Sequence, residues 1–156
     1  MRYLIHGLRK IATDWTVAAV QRDIMAAPVT ASYWRGEVRE LAEAIMEGSV
    51  EHTKEEWGDV TLMLQLLLYG KGVPGIGNLR ITELTGANSV RKFLARLEVW
   101  KRIFEHHRVP FRVVYLKDGG NYAKLRKVYK TFENAGVPES RVDVQWLKRE
   151  GIVTEP

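Results

Sequence analysis

Four acidic side chains stand out by type and spacing. Glu37 and Glu40 lie three apart in GEVRELAEAI, and Glu56 and Asp59 lie three apart in EEWGDVTLML. On a helix, residues three apart share a face, so each pair presents its carboxylates together. The first stripe continues through Leu41, Ala44 and Ile45, and the second through Met63 and Leu66. Both pairs therefore border core-facing surfaces. If the two helices pack antiparallel, four carboxylates converge. At about 5 Å and an effective dielectric of about 20, each like-charged pair repels by about 3 kcal/mol. Such a cluster persists only with protons or cations inside it. Oxygen donors without thiolates favour a hard divalent ion, Mg²⁺ first and Mn²⁺ as the alternative.

The same residues have plainer uses. Glu40, Glu43 and Glu47 fit a solvated acidic helix face. Thr53-x-x-Glu56 has the form of a capping box, in which Glu56 would bond the backbone at a helix start. Spacing alone leaves both alternatives open.

The elements that must carry these residues read as helices. Apolar residues recur at helical spacing over about 3–26, ending before Pro28. A second helix is expected from a Ser32 cap to Gly48, a suitable C-terminal glycine. A third runs from about Thr53 to Tyr69, and its second half, apolar nearly all round, must be buried on several sides. A fourth starts near Ser89 and ends before Pro110. Phe111 to Leu116 reads as extended, either a short strand or a packed connection, 122–134 as helix, and the stretch around Trp146 as a last short helix. The expected fold class is all-α, a helical bundle with short connections over one domain, 1–156, whose basic C-terminal half (about 89–156) is an elaboration.

The chain has 156 residues, enough for a substantial core, and no cysteine. Thiolate zinc sites, disulfides and cysteine nucleophiles are excluded. No stretch resembles a signal peptide or a membrane span, so a cytoplasmic protein is expected. Charge is uneven: residues 1–69 carry 7 Lys and Arg against 10 Asp and Glu, and residues 70–156 carry 17 against 9. A basic half beside an acidic one suits a phosphate-bearing ligand or a nucleic acid, as well as two solvated surfaces of opposite sign.

Two acidic pairs on consecutive helices, Glu37-x-x-Glu40 and Glu56-x-x-Asp59 separated by fifteen residues, resemble the MazG-type nucleotide pyrophosphohydrolases of the all-α NTP pyrophosphatase superfamily. The likeness covers roughly residues 33–70, with Gly36 standing where many members have a further Glu. It implies that Glu37, Glu40, Glu56 and Asp59 bind the metal and that Glu40 orients or deprotonates the attacking water. Downstream, 120–127 resembles the element with which the family closes its site. By that likeness Asn121 and Lys124 would contact substrate, with Lys117, Arg126 and Lys127 as lesser candidates, although Asn121 also suits a helix N-cap. The implied activity is Mg²⁺-dependent hydrolysis of nucleoside triphosphates to monophosphate and pyrophosphate, in a homodimer or homotetramer.

Other patterns fail on their chemistry. Gly70-Lys71-Gly72 is not a phosphate loop, because Gly72 stands where Ser or Thr is required. His106 and His107 are adjacent on a helix and diverge, so they do not form a metal pair. Trp15, Trp34 and Trp57 are candidates for a base pocket or simply for the core. The competing class is a basic helical nucleic-acid-binding or regulatory protein using Arg91, Lys92, Arg96, Lys101, Arg102 and the lysines of 124–130.

Overall fold

The computed structural model describes residues 15–116 and 125–154. Among them are six α-helices: α1 (Val17–Asp23), α2 (Ala31–Glu47), α3 (Val50–Gly70), α4 (Ala87–His106), α5 (Leu125–Asn134) and α6 (Val144–Arg149). The protein is mainly helical. Its only β pairing among the described residues is an isolated bridge between Thr16 and Arg80. No helix among them is long and apolar enough to cross a membrane. The chain divides into two compact units, 1–24 with 28–94, and 25–27 with 95–156, so the boundary falls inside α4.

In the first unit the helix ends are set by local chemistry. Thr16, Thr30 and Ser49 each accept a backbone N–H from the opening turn of α1, α2 and α3. Gly48 ends α2 in the left-handed conformation, at φ 73°, where glycine costs least. Only Gly48 and Ser49 separate α2 from α3, so the two helices fold back on each other as a hairpin. The local chemistry differs from the sequence pattern at two points. The cap of α2 is Thr30 rather than Ser32. Because α3 begins at Val50, Thr53 and Glu56 lie inside it and form no capping box, and Thr53 Oγ1 instead donates to Ser49 O at 2.7 Å.

The hairpin is seated by α3. Leu62, Met63 and Leu66 are fully buried, as are Val17 and Val20 of α1, and Val60 and Leu67 nearly so. The approach of α4 to α3 depends on two glycines. A Cβ on Gly86 would lie 2.6 Å from Leu62 Cβ and 2.8 Å from Gly58 O, and Gly86 has φ +107°. A Cβ on Gly58 would meet Ser89 Oγ at 3.3 Å. Glycine inside a helix costs about 1 kcal/mol in propensity. At Gly58 that cost admits the start of α4 against the backbone of α3, directly beside Asp59.

The second unit has its own core of Trp100, Ile103, Phe104, Phe132 and Leu147 with neighbouring valines. Of the two readings of 111–116, the packed connection holds and the strand does not: the segment closes in a 3-10 turn, Val113–Tyr115. Its aromatic residues have better partners than a strand would offer: Phe111 meets Phe104 edge-on at 5.1 Å, and Tyr115 stacks on Phe104 at 6.0 Å. Asn134 Nδ2 donates to Tyr115 O at 3.0 Å and fixes the turn.

Candidate metal centre

The hairpin brings three of the four acids together. Carboxylate oxygens of Glu37, on α2, and of Glu56 and Asp59, on α3, all lie within 4.8 Å of one another. Glu56 is the enclosed member, only 8% exposed, while Glu37 and Asp59 are half-buried. Glu40 is exposed and stands outside the trio, but its charge acts on both Glu37 and Glu56.

Each acid that is pushed toward protonation has a polar side chain one helical turn upstream. Tyr33 hydrogen-bonds Glu37. His52 Nε2 lies 3.3 Å from Glu56 Oε1. Glu56 Oε2 is buried and has no hydrogen-bond partner. A buried polar atom left unpaired costs about 1–3 kcal/mol, and more when charged. Burial first, then the charges of Asp59 and Glu40, push the Glu37 carboxyl up to about 7, against the pull of the Tyr33 hydrogen bond. Burial likewise raises Glu56, followed by Asp59 and Glu40, with His52 and Lys92 pulling it back. The cluster is electrostatically unsatisfied near neutral pH. An all-oxygen donor set with an unpaired inner oxygen is suited to a divalent cation.

Lys92, on α4, closes one side. Its Nζ lies 3.6 Å from Glu55 Oε2 and 3.9 Å from Asp59 Oδ2. In the sequence Lys92 is one cation of a general basic surface, because its position beside the acids depends on the Gly58–Gly86 approach. His52 and Tyr33 carried a readable signal, each four residues before an acid on the same helix face. The downstream candidates are placed differently. Lys117, Asn121 and Lys124 lie outside the described residues. Arg126 (exposed) and Lys127 (half-buried) are on α5 of the second unit. Of the tryptophans considered for a base pocket, Trp15 and Trp34 are half-buried and Trp57 is exposed.

Compared with known proteins, the chain shows no significant similarity to any family model, curated protein or solved structure.

Proposed function

We propose that the first unit is a Mg²⁺-dependent nucleoside triphosphate pyrophosphohydrolase, with Mn²⁺ as an alternative ion. The observation that carries this reading is the trio of Glu37, Glu56 and Asp59, whose carboxylates offer oxygens within 4.8 Å of one another, and whose buried member, Glu56, leaves Oε2 without a hydrogen-bond partner. Glu37, Glu56 and Asp59 would hold the ion. When bound, such an ion neutralises phosphate oxygens and makes water more acidic. Glu40, exposed at the edge of the trio, is free to take a proton from an attacking water, a role separate from holding the ion. Lys92 exchanges its carboxylate neighbours for a phosphate oxygen of the bound triphosphate and steadies the outgoing pyrophosphate. Asn121, Lys124, Lys117, Arg126 and Lys127 remain proposals from the MazG-like pattern alone.

The competing nucleic-acid reading fares worse on α4. Arg91 pairs with Glu83, Lys101 with Glu98 at 2.9 Å and Arg102 with Glu150 at 2.8 Å, whereas Lys92 holds its acids only loosely, at 3.6 and 3.9 Å. A row of cations already matched by acids is a poor phosphate track.

The hairpin also supports a homo-oligomer. Trp34, Val38, Leu41 and Ile45 form a stripe along α2, and Val50, Trp57, Leu64 and Leu68 form one along α3. At 100° per residue both stripes fall on the same side of an antiparallel hairpin. Ala44 faces the core as expected of the stripe beside the acids, but Ile45, expected on that same stripe, is instead 58% exposed, with Val50 67% and Trp57 52% exposed. A contiguous apolar face of this kind is ordinarily covered by a partner, and a second copy presents the same face.

The deciding experiment is pyrophosphate release from a panel of ribo- and deoxyribonucleoside triphosphates with Mg²⁺. Glu56→Gln and Asp59→Asn should each lower the rate by about 100-fold or more, equivalent to about 2.7 kcal/mol. Wild-type protein inactive across the panel, or mutants as active as wild type, would overturn the reading.

A further inference from the structure

Glu56 is held by a short chain of side chains that no part of the proposed chemistry uses. His52 lies in the first turn of α3, where its backbone N–H donates to Ser49 Oγ at 3.2 Å. Its ring reaches two carboxylates on opposite sides. Nδ1 lies 2.9 Å from Oε2 of Glu47, the last residue of α2, and Nε2 lies 3.3 Å from Glu56 Oε1. The ring plane is therefore fixed from both helices. Glu56 Oε2 has no partner. The terminal torsion of a glutamate is soft and roughly two-fold, so an unrestrained carboxylate would turn freely about it.

We infer that His52 is a positioning residue for Glu56, with the Glu47–His52–Glu56 chain occupying Oε1 so that Oε2 is left available to an ion held with Glu37 and Asp59. This rests on the metal-centre reading above and extends it to a residue beyond the acids themselves. Outer partners of this kind typically contribute 10- to 100-fold in metal affinity, because they remove the cost of ordering the ligand when the ion arrives. The rival role for His52 is purely architectural: a clamp, through Glu47, on the turn between α2 and α3. The two roles use different ring nitrogens, which makes them separable.

The test is Mn²⁺ binding to the full-length protein, followed by electron paramagnetic resonance. His52→Ala should weaken binding about 10-fold or more. In His52→Gln the amide nitrogen occupies the place of Nε2, so it keeps the Glu56 contact and should recover most of the affinity. In His52→Asn the amide nitrogen occupies the place of Nδ1, so it keeps only the Glu47 contact and should bind as weakly as His52→Ala. The opposite order, with His52→Asn binding tightly and His52→Gln weakly, assigns His52 to the clamp and overturns the proposal. So does His52→Ala binding like wild type. The Gln and Asn variants are both polar and close in size, so their ratio decides the matter even if His52→Ala fails to fold. Wild-type protein that binds no Mn²⁺ overturns the metal centre itself, an outcome distinct from failure of the His52 assignment.

Discussion

The two units handle polar side chains in opposite ways. In the second unit His107 is used at both nitrogens: Nδ1 donates to Ile103 O at 2.6 Å, and Nε2 accepts from Asp143 N at 2.8 Å. Asp143 in turn caps α6 through Trp146 N and meets His106 Nε2 at 3.0 Å, and His106 stacks flat on Trp146 at 4.0 Å. In the first unit Trp34 Nε1, Glu56 Oε2 and Arg91 Nε are buried without hydrogen-bond partners, and three carboxylates crowd one another. Groups left unsatisfied in a fold mark places where something other than stability has set the residue types. The second unit has the character of a scaffold, and the first that of a site.

Phe132→Ala removes a fully buried ring stacked on Phe104 at 4.7 Å and should cost about 3–5 kcal/mol in denaturant unfolding. At temperatures where the variant is still folded, its Mn²⁺ affinity should match wild type. An affinity loss in step with the stability loss would show that the scaffold and the site are one cooperative entity. Gly86→Ala comes next. Positive φ and the contacts with Leu62 and Gly58 should make it lose at least about 1–3 kcal/mol. By displacing the start of α4 it should also raise KM through Lys92, which steady-state kinetics on the triphosphate would read.

Acidity provides a sharper and smaller test. Glu37 is raised to about 7 in the fold, above its unfolded value. Its contribution to stability is therefore complete at acid pH and lost as pH rises through about 7. Without divalent ions the protein should melt lower at pH 8 than at pH 5.5. Glu37→Gln should flatten that difference, gaining about 1 kcal/mol at pH 8 once solvent screening of a half-exposed group is allowed for. Metal binding needs the deprotonated form, so Mn²⁺ affinity should rise through the same interval. A wild-type melting profile flat between pH 5.5 and 8 would contradict the burial assigned to Glu37. The smallest effect is expected at Gly36, a helical position where an added Cβ meets nothing within 4 Å. Gly36→Ala should stabilise by about 0.5–1 kcal/mol and leave metal affinity unchanged.

What could be read in the sequence followed from local rules. The Gly48 stop, the apolar run of α3 and the acid spacing depend on neighbours within a turn or two. The cap of α2 was misplaced because Thr30 and Ser32 are both competent caps, and only the chain's entry after Val29 selects between them. Depth was not legible either. Helical spacing places Glu40 beside Glu37 but does not show that Glu40 stays in solvent while Glu56 is enclosed. Lys92 depends on two glycines 28 residues apart, Gly58 and Gly86, and no local pattern announces that meeting. The segment at 111–116 was read from its own composition, whereas Phe104 decided its shape.

The two-residue link at Gly48 and Ser49 also acts as a length gauge. With so little slack, the spacing between the acid pairs sets which turn of α2 faces which turn of α3. Inserting one residue between Glu40 and Gly48, or between Ser49 and Glu56, would swing one pair about 100° away from the other and dissolve the cluster without unfolding either helix. Adding about seven residues, close to one full turn on each helix, would restore the facing. Hairpins that share this cluster should therefore differ in the length of that interval by discrete steps, and a tract of intermediate length would mark a chain that has kept the fold and lost the meeting of its carboxylates.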